Sequence, residues 1–356
     1  MGARRLERVR KQLEALGVDG LFITNPYNRR YLTGFTGSSG YVLVTSDKAL
    51  LFTDFRYTSQ AAEQAKAYEV VLHAINPAES IAEALKAYGV RKLGFEKNHV
   101  TYAAHTGYVE QFAGVELVPT QNVVEALRGI KDEEELGYIR KAIEITEVAF
   151  EKILEIMKPG ISELDVSAEL EYLMRKNGAP SSAYATIVAS GPRGALPHGL
   201  ASGKLLEAGE FVTLDFGASY EGYCSDLTRT VFLGTPTEKH KKLYSIVLEA
   251  NRATLAGLKP GISGKDGDSI ARDLIASHGY GPNFGHGLGH AFGLEIHEPV
   301  RLSQQSADIL APGMVITVEP GIYVPGFGGV RIEDDIVVTE TGIEVLTKSN
   351  KELIVL

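Results

Sequence analysis

Asp215, Asp226, Glu319 and Glu333 stand in apolar, strand-like stretches, and His290 closes the glycine-rich run Gly285 to His290. Carboxylates with one imidazole are the donors that hold divalent metals. Along a strand from Phe211 to Phe216 side chains alternate faces, which groups Thr213, Asp215 and Gly217. The same rule groups Asp226, Thr228 and Thr230, with Glu221-Gly222 as the turn between the two strands. A hairpin about that turn is expected to set Asp215 and Asp226 almost opposite, with Cβ atoms about 5 Å apart. Glu319 and Glu333 repeat the arrangement around a loop expected at Pro325 to Gly329. Four carboxylates converging in a partly buried place repel one another and lose hydration, so two divalent cations are expected to balance them.

Histidines add to this set. His286, His290 and His297 fall within twelve positions, and His198 lies in Leu196-Pro197-His198-Gly199. At least one is expected to bind metal or to polarise a carbonyl. Glycines two residues apart argue against a helix at 285–290, so this is not the helical HExxH zinc signature. The run does not fit GxGxxG either, and no nucleotide site is assigned. Cys224 is expected to point to the strand face opposite Asp226 and to serve packing.

The elements that must position these groups come in two parts. Strand-like runs at 20–24, 41–45, 49–53, 70–72, 92–95 and 116–119 alternate with helical patterns and predict an α/β domain. A long helix follows, capped by Asp132 with Glu135 three residues later and stopped by Lys158-Pro159-Gly160. The domain break is expected between Gln121 and Lys131, dividing the chain into 1–125 and 126–356. The second part is duplicated: Lys158-Pro159-Gly160-Ile161-Ser162 returns as Lys259-Pro260-Gly261-Ile262-Ser263, and the stretch from Leu206 to Gly217 returns as Leu310 to Gly321. Each copy contributes one carboxylate, Asp215 or Glu319, at the same place, which predicts a pseudo-symmetric fold.

Composition sets outer bounds. The 356 residues are 44% hydrophobic with a formal charge of -9 and a pI near 5.6. That balance gives no footing for nucleic acid or an anionic membrane, both of which need concentrated positive charge. A single cysteine excludes an intramolecular disulfide and any multi-cysteine metal site. The first twenty residues carry Leu6, Val9, Leu13 and Leu16 at helical spacing and lack the apolar core of a signal peptide, and no stretch reaches membrane-spanning length. A cytoplasmic location is expected.

The segments Thr213-Leu214-Asp215-Phe216-Gly217, Ser225-Asp226-Leu227-Thr228-Arg229-Thr230, Gly285 to His297, Thr317-Val318-Glu319-Pro320-Gly321 and Gly329-Val330-Arg331-Ile332-Glu333-Asp334 together resemble the pita-bread metallopeptidases, in the branch of aminopeptidase P and Xaa-Pro dipeptidase (prolidase). Asn25-Pro26-Tyr27-Asn28, Tyr31-Leu32-Thr33-Gly34-Phe35 and Thr53-Asp54-Phe55-Arg56-Tyr57 are similar to the creatinase-type N-terminal domain of that branch. The resemblance implies an α/β (α+β) fold: a creatinase-like N-terminal α/β domain plus a pseudo-symmetric pita-bread catalytic domain. It implies that Asp215 and Glu333 bridge two metals, that Asp226 chelates one, and that His290 and Glu319 complete the other. Manganese or cobalt is expected, with zinc or iron also compatible. Glu319 is expected to move the proton, with His297 and His198 as catalytic partners. His286, His297 and Arg331 are expected on the substrate side, Arg301 against the carboxylate of a dipeptide, and Tyr323 and Phe292 as apolar candidates for the proline pocket. The substrates implied are proline-containing di- or short peptides, and the assembly a homodimer. The expected activity is cleavage of an N-terminal Xaa-Pro bond, as a dipeptidase or, alternatively, as an aminopeptidase on longer peptides. A non-catalytic binding module and a metal-free creatinase-type hydrolase are the remote alternatives.

Overall fold

A computed structural model describes residues 2–356. It divides into two compact units, one ending at Arg128 and one running Gly129–Leu356. In the first, β1 (Gly20–Ile23), β2 (Tyr41–Thr45), β3 (Ala49–Thr53), β4 (Glu69–Leu72), β5 (Lys92–Glu96) and β6 (Glu116–Thr120) form one sheet in the order β4-β3-β2-β1-β5-β6. Continuous apolar runs such as Leu50-Leu51-Phe52 mark a strand covered on both faces, and all three residues are buried. Helices α1 (Gly2–Leu16), α2 (Pro26–Thr33), α3 (Thr58–Gln64), α4 (Pro77–Ala87) and α5 (Tyr102–Gln111) are interspersed with the strands, and α6 (Val123–Arg128) ends the unit. The expected break after residue 125 lies inside α6, where Val124, Leu127 and Arg128 are buried.

The second unit opens on α7 (Glu133–Leu154) and α8 (Glu163–Lys176). Asp132 accepts from the Glu135 amide and Glu135 from the Asp132 amide, each at 3.0 Å, a reciprocal cap. The helix ends earlier than Lys158, because the amides of Ile156 and Met157 both turn back to the carbonyl of Ile153 at 3.0 Å. Then come β7 (Ser181–Ser182), β8 (Ile187–Ser190), β9 (Glu210–Phe216), β10 (Ala218–Tyr220), β11 (Tyr223–Cys224) and β12 (Leu227–Leu233). The other half holds α9 (Glu238–Gly257), α10 (Gly264–Ser277), β13 (Gly289–His290), β14 (Arg301–Leu302), β15 (Val315–Val318), β16 (Gly321–Val324), β17 (Gly328–Arg331), β18 (Asp334–Val338) and β19 (Ile343–Val345). The duplication is physical. The Gly160 amide bonds the Leu206 carbonyl at 2.9 Å and its counterpart Gly261 bonds Leu310 at 2.8 Å. Ser162 caps α8 and Ser263 caps α10, each accepting from the amide three residues on at 3.0 Å. Each half is built on a separate apolar core, around Phe150, Leu170 and Leu214 in one and around Val247, Ile275 and Ile316 in the other, the second also taking Phe211 and Phe232 from β9 and β12.

Strand register corrects one expectation. Asp215 pairs with Thr228 and Thr213 with Thr230, so Asp226 is a diagonal neighbour of Asp215 and not its opposite. The cause is the turn: Glu221 and Gly222 both take positive φ, 46° and 78°, and close a two-residue hairpin with Tyr220 opposite Tyr223. Residues symmetric about that turn must pair, which puts Thr228 against Asp215. In the second half the loop is shorter than Pro325 to Gly329, since Gly328 already pairs with Val324 and Gly329 with Tyr323. Alternation still holds. Val212, Leu214 and Phe216 enter the core while Thr213 and Asp215 face the polar side.

β12 and β18 are tied by Arg229 and Asp334, both fully buried, with Nη2 to Oδ1 at 2.9 Å. Lys351 also reaches Asp334, at 2.5 Å, and Arg229 donates to the carbonyl of Ser349 at 2.9 Å, so the pair pins the C-terminal segment. Burial opposes ionisation of Asp334, but Arg229 and Lys351 outweigh it and hold the carboxyl below its ordinary value. Its stabilising contribution is therefore complete above the unfolded value of about 3.9 and is lost as pH falls through the lower folded value. Asp334→Asn is expected to lower the unfolding free energy of this unit by about 3–5 kcal/mol near neutral pH, as for other broken buried pairs. The difference should shrink below about pH 4, which urea unfolding at several pH values will show.

Candidate metal centre

Strand ends deliver the five candidate ligands. Asp215 is on β9, Asp226 immediately precedes β12, Glu319 follows β15, Glu333 lies between β17 and β18, and His290 is on β13. The segment before His290 runs close against β15: a Cβ on Gly289 would sit 1.9 Å from the Thr317 carbonyl oxygen, so only glycine allows the approach. The Glu319 amide then bonds the Leu288 carbonyl at 2.8 Å and the His290 amide bonds Thr317 Oγ1 at 3.1 Å.

One oxygen from each of Asp215, Asp226 and Glu333 lies within 4.8 Å of the others. His290 Nε2 is 3.6 Å from Asp226 Oδ2 and 3.6 Å from Glu319 Oε1. Its Nδ1 faces the Ala291 carbonyl at 3.3 Å, and since a carbonyl only accepts, Nδ1 carries the proton and Nε2 presents a lone pair. Burial, with His297 alongside, drives the imidazole down to about 3. The lone pair of a neutral imidazole therefore faces Asp226 and Glu319. Burial and the neighbouring acids push Asp226 and Glu333 well above the carboxylate range. Burial also takes Glu319 up to about 8, against the pull of Arg331.

Within the protein, several donors answer this charge. Arg331 Nη2 bonds Asp215 Oδ2 at 2.5 Å, the Tyr184 hydroxyl reaches Asp215 at 2.7 Å and also Asp226, and Thr228 donates to Glu333 at 2.6 Å. One guanidinium against four carboxylates leaves an excess of acceptors aimed at one another. A donor set of this kind fits divalent cations.

The cluster floors a cavity of about 350 Å³, within the range of small-molecule sites. His198 and His297 are exposed at its wall, and neither ring is hydrogen-bonded among the described residues. His297 packs edge-on to His290, with centroids 4.4 Å apart, and burial followed by Arg301 holds it below its ordinary value. His286 also lines the wall, but its ring is engaged. Nδ1 donates to the Gly287 carbonyl at 2.7 Å, which leaves Nε2 to accept the Tyr323 hydroxyl at 2.8 Å. Burial, then Arg331, pushes it down to about 4.

Arg301 stands directly opposite His290 in the β13/β14 pair. Its Nη1 donates to the carbonyls of Glu298 and Val300, and no carboxylate pairs with its guanidinium among the described residues. Tyr323 and Phe292 do not line the cavity. Tyr323 sits behind His286 and Arg331, with its hydroxyl bonded to both, and Phe292 is fully buried. The apolar wall is formed instead by Ile187, Pro197 and Ile296. Tyr184, which bridges two of the acids, escaped the sequence reading because no motif surrounds it; it enters through the connection between β7 and β8.

Residues 137–340 match the model of metallopeptidase family M24, and residues 5–130 match the creatinase/prolidase N-terminal domain. The chain is 51% identical to the uncharacterized peptidase YqhT of Bacillus subtilis, covering 99% of this chain and 100% of that protein. Among solved structures, an Xaa-Pro dipeptidase from Bacillus anthracis is 50% identical with a TM-score of 0.98, and each chain is covered in full, 100% of both. An X-Pro aminopeptidase from Thermotoga maritima is 39% identical with a TM-score of 0.91, over 97% of this chain and 100% of that one.

A metal-free cluster with raised carboxyls must lose protons when cations enter. Folded values above the unfolded ones mean that stability in the absence of metal declines as pH rises toward and through about 8, where Glu319 ionises. Manganese binding near neutral pH is expected to release protons, fewer as pH passes about 8, measurable by calorimetry in buffers of different ionisation heat. Asp226→Asn should weaken binding by roughly tenfold or more and lower the proton count. Unchanged affinity would remove Asp226 from the centre.

Proposed function

This chain belongs to metallopeptidase family M24, and from that premise we propose that it is a dinuclear-metal peptidase hydrolysing the N-terminal Xaa-Pro bond, acting as a dipeptidase. The observation that carries the proposal is the meeting in one cavity of a five-donor cluster and the unpaired Arg301 guanidinium. Two divalent cations held by Asp215, Asp226, His290, Glu319 and Glu333 would supply a water acidic enough to attack at neutral pH and a Lewis acid for the carbonyl before proline.

The chain's own groups do the rest. Glu319 takes the proton of the attacking water and returns it to the proline nitrogen. His297 and His198, whose ring nitrogens are free, donate to the developing oxyanion and place the scissile carbonyl. Arg331 fixes the orientation of Asp215 from the cavity wall. Since the bond to proline is a tertiary amide with no N–H, the site needs no acceptor there. The apolar wall of Ile187, Pro197 and Ile296 suits the pyrrolidine ring. Arg301, short of a carboxylate partner, matches the C-terminal carboxylate of a dipeptide.

A second reading, Xaa-Pro aminopeptidase on longer peptides, is favoured by the likeness to the Thermotoga maritima structure. A non-catalytic binding module would have no use for the complete donor set. Manganese or cobalt as resident metal is supported by the oxygen-rich donors with one imidazole. A homodimer rests on family likeness alone, and a reducing, cytoplasmic setting is supported by the single cysteine of the chain. No helix of the described residues is long and apolar enough to cross a membrane.

Protein supplied with manganese or cobalt is expected to cleave Ala-Pro. Arg301→Ala should raise the dipeptide KM roughly ten- to hundredfold, the worth of a charge-assisted hydrogen bond, while leaving the tripeptide Ala-Pro-Ala nearly unchanged. Equal losses on both substrates would transfer the assignment to aminopeptidase; cleavage of neither would sink the Xaa-Pro activity.

A further inference from the structure

Asp268 is fully buried on α10, and the chemistry above makes no use of it. It accepts from Arg272 twice, Nε at 2.5 Å and Nη2 at 2.9 Å, and its Oδ1 also accepts the Leu288 amide at 3.0 Å. Arg272 donates onward to the carbonyls of Phe284 at 2.8 Å and His286 at 2.7 Å. The pair thus holds alternate residues of the segment Phe284 to Leu288, which has no helix or strand of its own.

From His286 the bonds continue inward. Tyr323 donates to His286 Nε2 at 2.8 Å, Arg331 Nη1 donates to Tyr323 Oη at 2.8 Å, and Arg331 Nη2 ends the line on Asp215. A backbone branch runs beside it, because the Glu319 amide bonds the carbonyl of Leu288 at 2.8 Å. The other half has a similar device. Buried Glu163 accepts from Ser190 and Ser202 and pairs with Arg193, which holds the carbonyl of Leu200 on the loop carrying His198. A buried ion pair is weak evidence for stability, since apolar residues of like volume often serve as well. Its place at the root of a bond chain ending on Asp215 accounts for it better.

We propose that Asp268 and Arg272 are positioning residues of the metal centre, acting through His286, Tyr323 and Arg331 on Asp215. The proposal rests on the reading of Asp215 and its neighbours as metal ligands. It makes His286 a structural link with both ring nitrogens committed, unlike His198 and His297.

The test replaces the pair by apolar residues of similar size, Asp268→Leu with Arg272→Met, so that no buried charge is left unpaired. A second variant, Tyr323→Phe, cuts the chain in the middle without touching the pair. Manganese affinity by calorimetry, thermal unfolding, and kcat and KM on Ala-Pro are measured for each and for the triple variant. The double variant and Tyr323→Phe are each expected to weaken manganese binding roughly ten- to hundredfold, the usual effect of removing support behind a ligand, and to lower kcat with dipeptide KM within about threefold. The triple variant should be little worse than the worse of the two, because both cut one chain. Fully additive losses, or manganese affinity unchanged in Tyr323→Phe, would overturn the proposal. If the double variant fails to fold, Arg272→Lys, which keeps a cation beside Asp268 but gives up the forked bonds to the carbonyls of Phe284 and His286, takes its place with the same expectations, and unchanged manganese affinity and kcat in it overturn the proposal. No manganese binding by the unaltered chain would sink the metal centre and this proposal with it, whereas normal binding with unaffected variants sinks this proposal alone.

Discussion

Crowding of like charge in a place that water only partly reaches governs the catalytic unit. Four carboxylates and a neutral imidazole turn acceptor atoms toward one another, and burial, together with the neighbouring acids, keeps three of those acids above their ordinary range. Such an arrangement is unfavourable for an empty site and has to be imposed by the rest of the fold. The imposition is visible at each acid, Glu319 having its amide bonded to the Leu288 carbonyl at 2.8 Å. Asp226 has its amide bonded to buried Asp335 at 3.1 Å, Glu333 has its amide bonded to the Thr228 carbonyl at 3.1 Å, and Asp215 is held by Arg331 and Tyr184. The amide bonds at Asp226 and Glu333 fix where each carboxylate starts from without occupying its oxygens, whereas Arg331 and Tyr184 hold the Asp215 carboxylate itself.

The duplicated chain is an economical way to build that geometry. Each half packs its helices around a separate apolar core, with Phe211 and Phe232 of the first half reaching into the second core, so each presents a strand end of fixed position. The halves are then joined near the acids by paired contacts: Asp226 to Asp335, Thr228 to Glu333, Thr230 Oγ1 to the carbonyl of Arg331 at 3.0 Å, and Arg229 to Asp334. All four contacts lie within one short stretch of β12 and of the residues around β17 and β18. Movement between the halves is thereby resisted where it would most disturb the acid cluster, and His290 breaks the symmetry by entering from the glycine-rich segment of one half.

How much of this the sequence discloses depends on whether the determinant is local. The six strands of the first unit and the Asp132 cap were legible because apolar runs and capping residues act over a few positions. The carboxylates were legible because the repeat marks them twice. The diagonal placement of Asp226 could have been derived, since a two-residue turn at Glu221-Gly222 fixes the register by counting. Tyr184 could not have been, because its value lies in reaching Asp215 from a strand connection 31 residues earlier with no pattern of its own. The same holds for Asp268, an acid on a helix whose partners become visible only when the segment carrying His286 is laid beside it. Tyr323 and Phe292 show the opposite failure: aromatics near a site in sequence read as pocket walls, yet one supports the wall from behind and the other is core.

Four histidines illustrate why residue type alone does not assign a role. His290 keeps its proton on Nδ1 against a backbone carbonyl and turns a lone pair to the acids, which suits a ligand. His286 has the same Nδ1 arrangement, but its lone pair is already taken by Tyr323, so it has nothing to offer a substrate while that bond stands. His198 and His297 have no such commitments and face the open cavity, which leaves both nitrogens available to a peptide. The distinction rests on where protons are fixed, and carbonyl partners fix them: two of these rings have one at Nδ1 and two do not. A single glycine-rich segment thus carries a candidate ligand and a support only four residues apart, and what separates them is the identity of the atoms that each Nε2 meets.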